Sequence, residues 1–299
     1  MKKRYLKRAD IYVSEIGFGC MSLGDTHVSN ARLIGQAIDG GVNYFDTADL
    51  YQKGFNEETL GRALKGKRDQ VIIASKVGNE LNPNGEGWRW NPSKNYILKA
   101  IDKSLKRLQV EQIDLYQLHG GTVQDPIDEI IEAFEILKDV GKIKAYGLSS
   151  IRPNVINEYI KKSNFVTDML QYSLLDRRAE EEVLPKLKGV GVGVMVRGSL
   201  AKGLLANKRI SNYLNWNIQH IDNMRDKLIS FSNEKITSSQ LSIQWVLNNE
   251  SVSTVVVGFR NTAQLVDTLK VNSVPKMSAD IYHELSDLLG QNFYTEHRV

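Results

Sequence analysis

Short runs of consecutive apolar residues alternate with amphipathic segments along most of the chain. The predicted strands are Ile16–Gly19, Val42–Asp46, Val71–Lys76, Ile113–His119, Ile143–Ser149, Val166–Gln171, Val190–Val196 and Thr254–Gly258. Most of these runs are apolar throughout, which is typical of strands that are buried on both faces of a parallel sheet. The pattern therefore predicts a parallel sheet whose strands are connected by helices.

Helical periodicity separates these runs, and two of the helices carry start signals. Asn91–Pro92 and Asp125–Pro126 each offer a polar cap followed by a proline, which the first turn of a helix tolerates. Gly141 is expected to end the second of these helices in a left-handed conformation. Further helices are predicted over Ser238–Leu247 and after Asn261.

Eight alternations of strand and helix in about 300 residues favour a (β/α)8 TIM barrel. An open, doubly wound sheet is the alternative, but it needs a glycine-rich fingerprint after its first strand. Gly17 and Gly19 are followed by Cys20–Leu23, with no third glycine to open a helix. The barrel is therefore the preferred fold class.

Both ends of the chain lie outside this rhythm. Arg4–Leu6 and Ile11–Val13 predict an N-terminal hairpin that would plug the N-terminal end of the barrel. A C-terminal helix is predicted over Ser278–Leu289, followed by a tail that we expect to be mobile. Because no linker-like tract interrupts the sequence, residues 1–299 are predicted to form a single domain.

Composition narrows the class of partner. The 39 basic and 35 acidic residues leave a formal net charge of +4, which gives no reason to expect a nucleic-acid partner. No apolar stretch reaches the length of a membrane span, and the basic N-terminus lacks the apolar core of a signal peptide. One cysteine, Cys20, cannot form an internal disulfide or a cysteine metal cluster. We therefore expect a cytoplasmic protein that acts on a small molecule.

Reactive side chains of a barrel enzyme lie where the strands end, at the C-terminal face. Three predicted strands end in polar residues of complementary chemistry: Asp46, Lys76 and His119. Because adjacent strands lie about 4.8 Å apart, these side chains are expected within roughly 10 Å of one another. Tyr51 follows Asp46 closely enough to turn its hydroxyl back over the group.

These four side chains suit the reduction of a carbonyl to an alcohol. An isolated tyrosine has a pKa of about 10; a nearby ammonium is expected to lower it, and a carboxylate keeps that lysine charged and oriented. Histidine can donate a hydrogen bond to the oxygen that gains charge. The set contains neither a nucleophile with its base nor metal-ligand spacing. No metal is therefore predicted, and the hydride must come from a nicotinamide cofactor.

The sequence around these residues resembles the aldo-keto reductase family, in the family's order over Tyr5–Leu269. The matching strings are Phe45–Tyr51, Asn56–Leu64, Ser75–Lys76, Asp114–His119, Gly147–Ser150, Gln171–Arg177 and Gly258–Asn261, with Gln264. The resemblance implies a (β/α)8 barrel that binds NADP(H) across its C-terminal mouth and reduces aldehydes or ketones. It also implies a catalytic tetrad of Asp46, Tyr51, Lys76 and His119, in which the tyrosine is the proton donor.

The resemblance also implies how the nicotinamide is held. The family uses a serine-asparagine pair and a glutamine, which correspond to Ser149, Ser150 and Gln171. Ser150 replaces the asparagine, so one polar contact would be shorter or bridged by water. Arg197 stands where the family often stacks a tyrosine, and its positive charge would favour the reduced, neutral ring. Gly198 and Leu200, which follow Arg197, also belong to the cofactor-binding residues that the resemblance implies.

The segment after the last strand bears on cofactor choice. A helix that begins after Gly258 offers backbone N–H groups to phosphate, and Arg260 can form a fork with the 2′-phosphate of NADP. The resemblance also implies that Gln264 contacts the cofactor. The family's glutamate-asparagine pair near the adenine appears as Asp267–Thr268, with a shorter acid and no amide.

Two other functions and several features remain open. The chain could be a cofactor-binding regulatory or sensor protein on the same fold, with little turnover, or a different barrel enzyme such as a metal-dependent lyase. Trp88 and Trp90 are either walls of the substrate pocket or part of a lid. Physiological substrate and oligomeric state are not encoded in any pattern. An apolar pocket wall is predicted from Leu204, Leu205, Tyr213, Leu214 and Trp216.

Overall fold

The computed structural model describes residues 1–298, and within them eight parallel strands close into a barrel. In chain order the strands are β1 (Lys3–Leu6), β2 (Ile11–Ser14), β3 (Ile16–Gly19), β4 (Tyr44–Asp46), β5 (Ile72–Val77), β6 (Asn79–Leu81), β7 (Trp88–Trp90), β8 (Ile113–Leu118), β9 (Ile143–Leu148), β10 (Thr167–Gln171), β11 (Gly193–Arg197) and β12 (Val252–Val257). The barrel runs β3-β4-β5-β8-β9-β10-β11-β12 and closes by pairing β12 with β3. The predicted (β/α)8 barrel is confirmed.

Helices cover the outside of the barrel. They are α1 (His27–Asp39), α2 (Phe55–Ala63), α3 (Lys94–Leu108), α4 (Ile127–Asp139), α5 (Pro153–Lys162), α6 (Val183–Gly189), α7 (Ile218–Phe231), α8 (Ser238–Leu247), α9 (Thr262–Leu269) and α10 (Ala279–Leu288). Their apolar faces and the outer faces of the strands form one continuous core. Among residues 1–298, no helix combines the length and the apolarity needed to cross a membrane.

The N-terminal hairpin of β1 and β2 lies across the N-terminal end of the barrel, as predicted. Leu6 and Val13 are buried in an inner apolar cluster together with side chains that point into the barrel. Arg4 holds the hairpin in place, because its guanidinium donates to the carbonyl oxygens of Val252 and Leu247. This end of the barrel is therefore closed by apolar packing and by the hydrogen bonds of Arg4.

Two strands begin later than their apolar runs suggest. Val42 donates its N–H to the carbonyl oxygen of Ala37, and the preceding Gly41 is left-handed (φ 88°). This is the glycine-dependent arrangement that ends a helix and places an apolar residue after it. The same arrangement at Gly191 delays β11 to Gly193. The first residues of each run thus belong to the end of the preceding helix.

The C-terminal tail is docked, which corrects the expectation of mobility. The side-chain oxygen of Asn292, which is buried, accepts a hydrogen bond of 2.8 Å from the N–H of Arg177. The guanidinium of Arg178 lies 4.9 Å from the ring centroid of Tyr294, which is also buried. The tail therefore packs on the segment that follows β10.

Candidate active site

The ends of β4, β5 and β8 lie side by side and bring Asp46, Lys76 and His119 to one place. The ammonium of Lys76 donates to Asp46 Oδ1 at 2.5 Å and to the carbonyl oxygen of Thr47 at 2.7 Å. Only 1% of the Lys76 side chain is exposed. A lysine buried to this degree is held by its partners in one position, which an exposed lysine would not be.

Tyr51 and His119 complete the cluster. The ring centroid of Tyr51 lies 5.2 Å from Lys76 Nζ, and its ring meets the His119 ring edge to face at 5.8 Å between centroids. His119 Nδ1 is buried without a hydrogen-bond partner in the described chain, while its backbone N–H donates to Val77. The structure thus brings the four sequence-predicted side chains together.

The charges of this cluster differ in part from the sequence-based expectation. Burial raises the pKa of Tyr51 above its usual value, and Lys76 opposes that rise without reversing it. The expected lowering by the ammonium is therefore present, but burial outweighs it. Burial lowers the pKa of Lys76, but Asp46 and Tyr51 outweigh it, so the pKa of Lys76 is raised and the amine stays charged.

The imidazole of His119 is neutral over the physiological range. Burial, with the positive charges of Lys76 and Arg197, lowers the pKa of His119 to about 3. A neutral imidazole carries one N–H and can donate a hydrogen bond without adding charge. The cluster therefore holds a protonated phenol, a charged amine and a neutral imidazole around one point.

Gln117 belongs to this cluster, and sequence reasoning missed it. Its Nε2 donates to Asp46 Oδ2 at 3.4 Å, and its Oε1 is buried without a partner in the described chain. A signal was present, because Gln117 is a polar residue in an apolar run, two positions before His119 and so on the same face of the strand.

The residues predicted to hold the nicotinamide lie at the neighbouring strand ends. Ser149 follows β9, where its N–H donates to the carbonyl oxygen of Leu118. The N–H of Ser150 donates to Asp168 Oδ1 at 3.1 Å, a buried partner that sequence reasoning did not name. The Nε2 of Gln171 lies 3.3 Å from the hydroxyl of Tyr213. Serine hydroxyls and a glutamine amide thus lie together at the ends of β9 and β10.

Arg197 ends β11 directly beside Gln171, with which it is paired in register. Its side chain is exposed, and within residues 1–298 it forms no ion pair. Arg197 thus stands at the C-terminal end of the barrel, and its positive charge contributes to the lowered pKa of His119. Gly198 follows in a left-handed conformation (φ 75°), and the next turn carries Leu200, which is partly buried.

The remaining predicted cofactor residues follow β12. A Cβ atom at Gly258 would come within 2.2 Å of Ser22 Oγ. Any residue other than glycine would therefore require the side chain of Ser22 to move. Arg260 is exposed, and its N–H donates to Gln264 Oε1 at 3.0 Å. The carboxylate of Asp267 accepts from Gln240 Nε2 at 3.0 Å, so this acid is already engaged with α8.

The predicted apolar pocket wall is largely wrong. Leu204 and Leu205 are almost fully buried in the apolar core, and Tyr213 is buried there too, with its hydroxyl against Gln171 Nε2. Leu214 is 48% exposed, whereas Trp216 is partly buried and donates to the carbonyl oxygen of Leu175. An apolar spacing in a loop did not distinguish a pocket wall from a core contact.

The two tryptophans of the segment before α3 have different environments. Trp90 donates to Asp125 Oδ1 at 2.9 Å and packs over Gly78, where a Cβ atom would approach its ring to 2.6 Å. Trp88 is 53% exposed. Trp90 therefore fastens the short β6–β7 hairpin to the barrel. Among the described residues, no group of three or more His, Cys, Asp or Glu side chains could hold a metal ion.

Comparison with known proteins places this geometry in a family. The model of the aldo/keto reductase family matches residues 15–289. The chain is 42% identical over 307 residues to the uncharacterized oxidoreductase YqkF of Bacillus subtilis, with both chains covered fully. It is similar, over the whole of both chains, to the holo form of the aldo-keto reductase AKR11C1 from Bacillus halodurans, with a TM-score of 0.95 and 45% identity.

A more distant structure carries a cofactor. An aldo/keto reductase from Klebsiella pneumoniae in complex with NADP and acetate matches with a TM-score of 0.80 and 25% identity, covering 98% of each chain.

Proposed function

The chain belongs to the aldo/keto reductase family, and we propose that it is an NADPH-dependent oxidoreductase that reduces aldehyde or ketone carbonyls to alcohols. The observation that carries this proposal is the buried pair of Lys76 and Asp46 beneath Tyr51, with His119 against the same ring. The similarity to oxidoreductases over the full chain supports the reaction class.

In the proposed mechanism, Tyr51 gives its phenolic proton to the carbonyl oxygen. A bound NADPH supplies the hydride that the carbonyl carbon accepts, so the products are the alcohol and NADP⁺. Burial raises the pKa of Tyr51, so the phenol is protonated before reaction. The ammonium of Lys76 then stabilises the phenolate that remains, and Asp46 holds that ammonium in place.

His119 acts on the oxygen from the other side. Because its pKa is lowered to about 3, the imidazole is neutral and donates a hydrogen bond to the carbonyl oxygen as negative charge develops there. A charged imidazolium would instead compete with Tyr51 as the proton donor. In this mechanism Tyr51 donates the proton, Lys76 with Asp46 stabilises the phenolate, and His119 orients the carbonyl oxygen.

The chain's own residues fit an NADP(H) cofactor. Arg197 and Arg260 are exposed cations that, among residues 1–298, lack an ion-pair partner, which suits a ligand with phosphate groups. Ser149, Ser150 and Gln171 supply hydroxyl and amide groups for the carboxamide of the nicotinamide. The NADP complex of the relative from Klebsiella pneumoniae supports this choice of cofactor.

Arg197 sharpens the cofactor proposal. Its guanidinium would stack on the nicotinamide where a tyrosine is usual, and its charge would disfavour the cationic oxidised ring relative to the neutral reduced ring. Replacing it in Arg197→Tyr should therefore reduce the ratio of NADPH to NADP⁺ affinity. An unchanged ratio, measured by cofactor fluorescence and calorimetry, would refute this role.

A panel of aldehydes and ketones, assayed with saturating NADPH and in parallel with NADH, tests the reaction and the cofactor together. Multiple turnovers that prefer NADPH support the proposal. Slow, single oxidation of bound NADPH with every carbonyl would instead favour a sensor protein on the same fold. A failure of NADPH to bind at all would reject both.

A further inference from the structure

The three residues that follow Tyr51 all have a left-handed backbone. Gln52 (φ 49°), Lys53 (φ 56°) and Gly54 (φ 91°) occupy a region that residues with a Cβ atom adopt rarely. Consecutive residues in such a conformation persist when the surrounding structure determines them, and they cluster at functional sites. At Gly54 a side chain would approach Arg107 Cδ to 2.7 Å. Something must therefore hold this turn in place.

The side chain of Asn56, which is fully buried in the first turn of α2, fills that role. Its Nδ2 donates to the carbonyl oxygen of Cys20 at 2.7 Å and to Gln52 Oε1 at 3.3 Å. Its Oδ1 accepts from the hydroxyl of Thr47 at 2.7 Å. One amide thus joins the end of β3, the residue after β4 and the left-handed turn.

These contacts are more than a helix cap. The residue that precedes α2 is Gly54, so Asn56 is not the capping residue, and the three contacts above all leave its own helix. A buried amide with both ends engaged fixes the relative position of the elements that it joins. Its role is therefore to set where the turn lies on the barrel.

Thr47 carries this restraint to the reacting groups. Its carbonyl oxygen accepts from Lys76 Nζ at 2.7 Å, and its N–H donates to Ala74 on β5. Lys76 therefore has two fixed partners, Asp46 Oδ1 and Thr47 O, and its position depends on both. The side chain of Asn56 therefore contacts both Thr47 and the left-handed turn that follows Tyr51.

We infer that Asn56 is a positioning residue which, through Thr47 and the left-handed turn, holds Lys76 and Tyr51 in register for proton transfer. This inference rests on the proposed function, because it assigns a purpose to the distance between these two groups. Displacement of reacting groups by about 1 Å costs about 100-fold in rate. Loss of the restraint is therefore expected to reduce kcat and leave cofactor binding intact.

The test uses two substitutions of similar shape. Asn56→Leu removes all three hydrogen bonds, and Thr47→Val removes the hydroxyl donor while it keeps the backbone carbonyl that Lys76 uses. We expect kcat to fall about 100-fold in Asn56→Leu and less in Thr47→Val, with the affinity for NADPH unchanged. Because Lys76 lowers the pKa of Tyr51, its displacement should also move the alkaline limb of the kcat profile to higher pH.

Conservative and matched variants separate positioning from mere packing. Thr47→Ser retains the hydroxyl and should restore the wild-type pH profile. Thr59, on the same helix, is equally buried and bonds His27 at 2.7 Å, away from Lys76. Thr59→Val should therefore reduce stability and leave kcat per folded molecule and its pH profile unchanged. If Asn56→Leu does not fold, Thr47→Val with its serine control decides the question.

Tyr51→Phe is measured beside these variants. If Tyr51→Phe turns over like the wild type, the proposed function fails. If Tyr51→Phe is inactive while Asn56→Leu and Thr47→Val keep the wild-type kcat and pH profile, the inference about Asn56 fails alone. A loss confined to NADPH affinity, with kcat intact, would also overturn it.

Discussion

The two ends of the barrel are built from the same eight strands but by opposite rules. At the N-terminal end, Leu6 and Val13 fill the interior and Arg4 is bonded to backbone carbonyls. At the C-terminal end, His119 Nδ1 and Gln117 Oε1 are buried without partners in the described chain. Unsatisfied polar atoms reduce stability, and these two lie in the candidate site. One end is thus closed by packing, and the other holds the candidate active site.

The backbone shows the same contrast. Left-handed residues with a Cβ atom form consecutive pairs at Gln52–Lys53 and Ala201–Lys202, in loops at the C-terminal end. In the N-terminal hairpin the left-handed residue is Asp10, and aspartate is one of the residues that tolerate this conformation in turns. The two consecutive left-handed pairs thus lie at the end of the barrel that holds the candidate site.

The largest expected effect is at the functional end. Tyr51→Phe removes the proposed proton donor and leaves the ring that packs against His119, so kcat should fall by about 10²- to 10⁴-fold. Cofactor affinity and the free energy of unfolding should change little. Steady-state kinetics with NADPH and a thermal unfolding curve check this, and wild-type turnover would reject the proton-donor role.

The complementary change is at the packed end. Leu6→Ala empties part of the inner cluster, so the free energy of unfolding should fall by about 2–5 kcal/mol. The kcat per folded molecule should not change, because the reacting groups lie at the other end. Denaturant unfolding and active-site titration measure the two quantities. A large loss of kcat would show that the ends are not independent.

Acid titration should reveal the buried imidazole. The pKa of His119 is about 3 in the folded chain and about 6.5 when unfolded, so the unfolded state binds more protons between these values. The free energy of unfolding should therefore decrease as the pH falls from about 6.5 toward 3. His119→Gln should make this decrease shallower. Equal slopes for the two proteins would contradict the neutral imidazole.

The smallest effect concerns the left-handed turn. Lys53→Gly replaces an exposed lysine at φ 56° by a residue that adopts this conformation without strain. The free energy of unfolding should rise by less than about 1 kcal/mol. The control Lys99→Gly, at an exposed position within α3, should lower it by about 1 kcal/mol. A decrease in Lys53→Gly would argue against strain in the turn.

The fold was predictable because its signals are local. Continuous apolar runs and the left-handed Gly141 (φ 77°) each depend on a few neighbouring residues. Asn91–Pro92 indicated a helix but not its first residue, because the cap is Ser93, whose side chain accepts from the N–H of Tyr96. The strand limits were less predictable. Val42 belongs to the end of α1, because an apolar residue after a left-handed glycine packs back on its helix as readily as it begins a strand.

The candidate site was predictable only in part. Asp46, Lys76 and His119 end neighbouring strands, so the barrel itself brings them together. Asn56 was missed because its role depends on contacts that no spacing expresses, whereas Gln117 was missed although its position in an apolar run, two residues before His119, is a sequence signal. The same limit explains the wrong prediction of a pocket wall. The apolar pattern at Leu204 and Leu205 indicates burial, but it does not indicate whether a ligand or the protein core covers these side chains.

The sequence alone determined the order of strands and helices, the fold class and the four residue types that meet at the mouth. Each of these follows from local periodicity and from the rule that parallel strands end at one face. Tertiary structure decided the sign of the pKa shift at Tyr51, the docking of the tail and the hydrogen bonds of Asn56. Burial and contact depend on which distant segments pack together, and that is fixed only when the barrel closes.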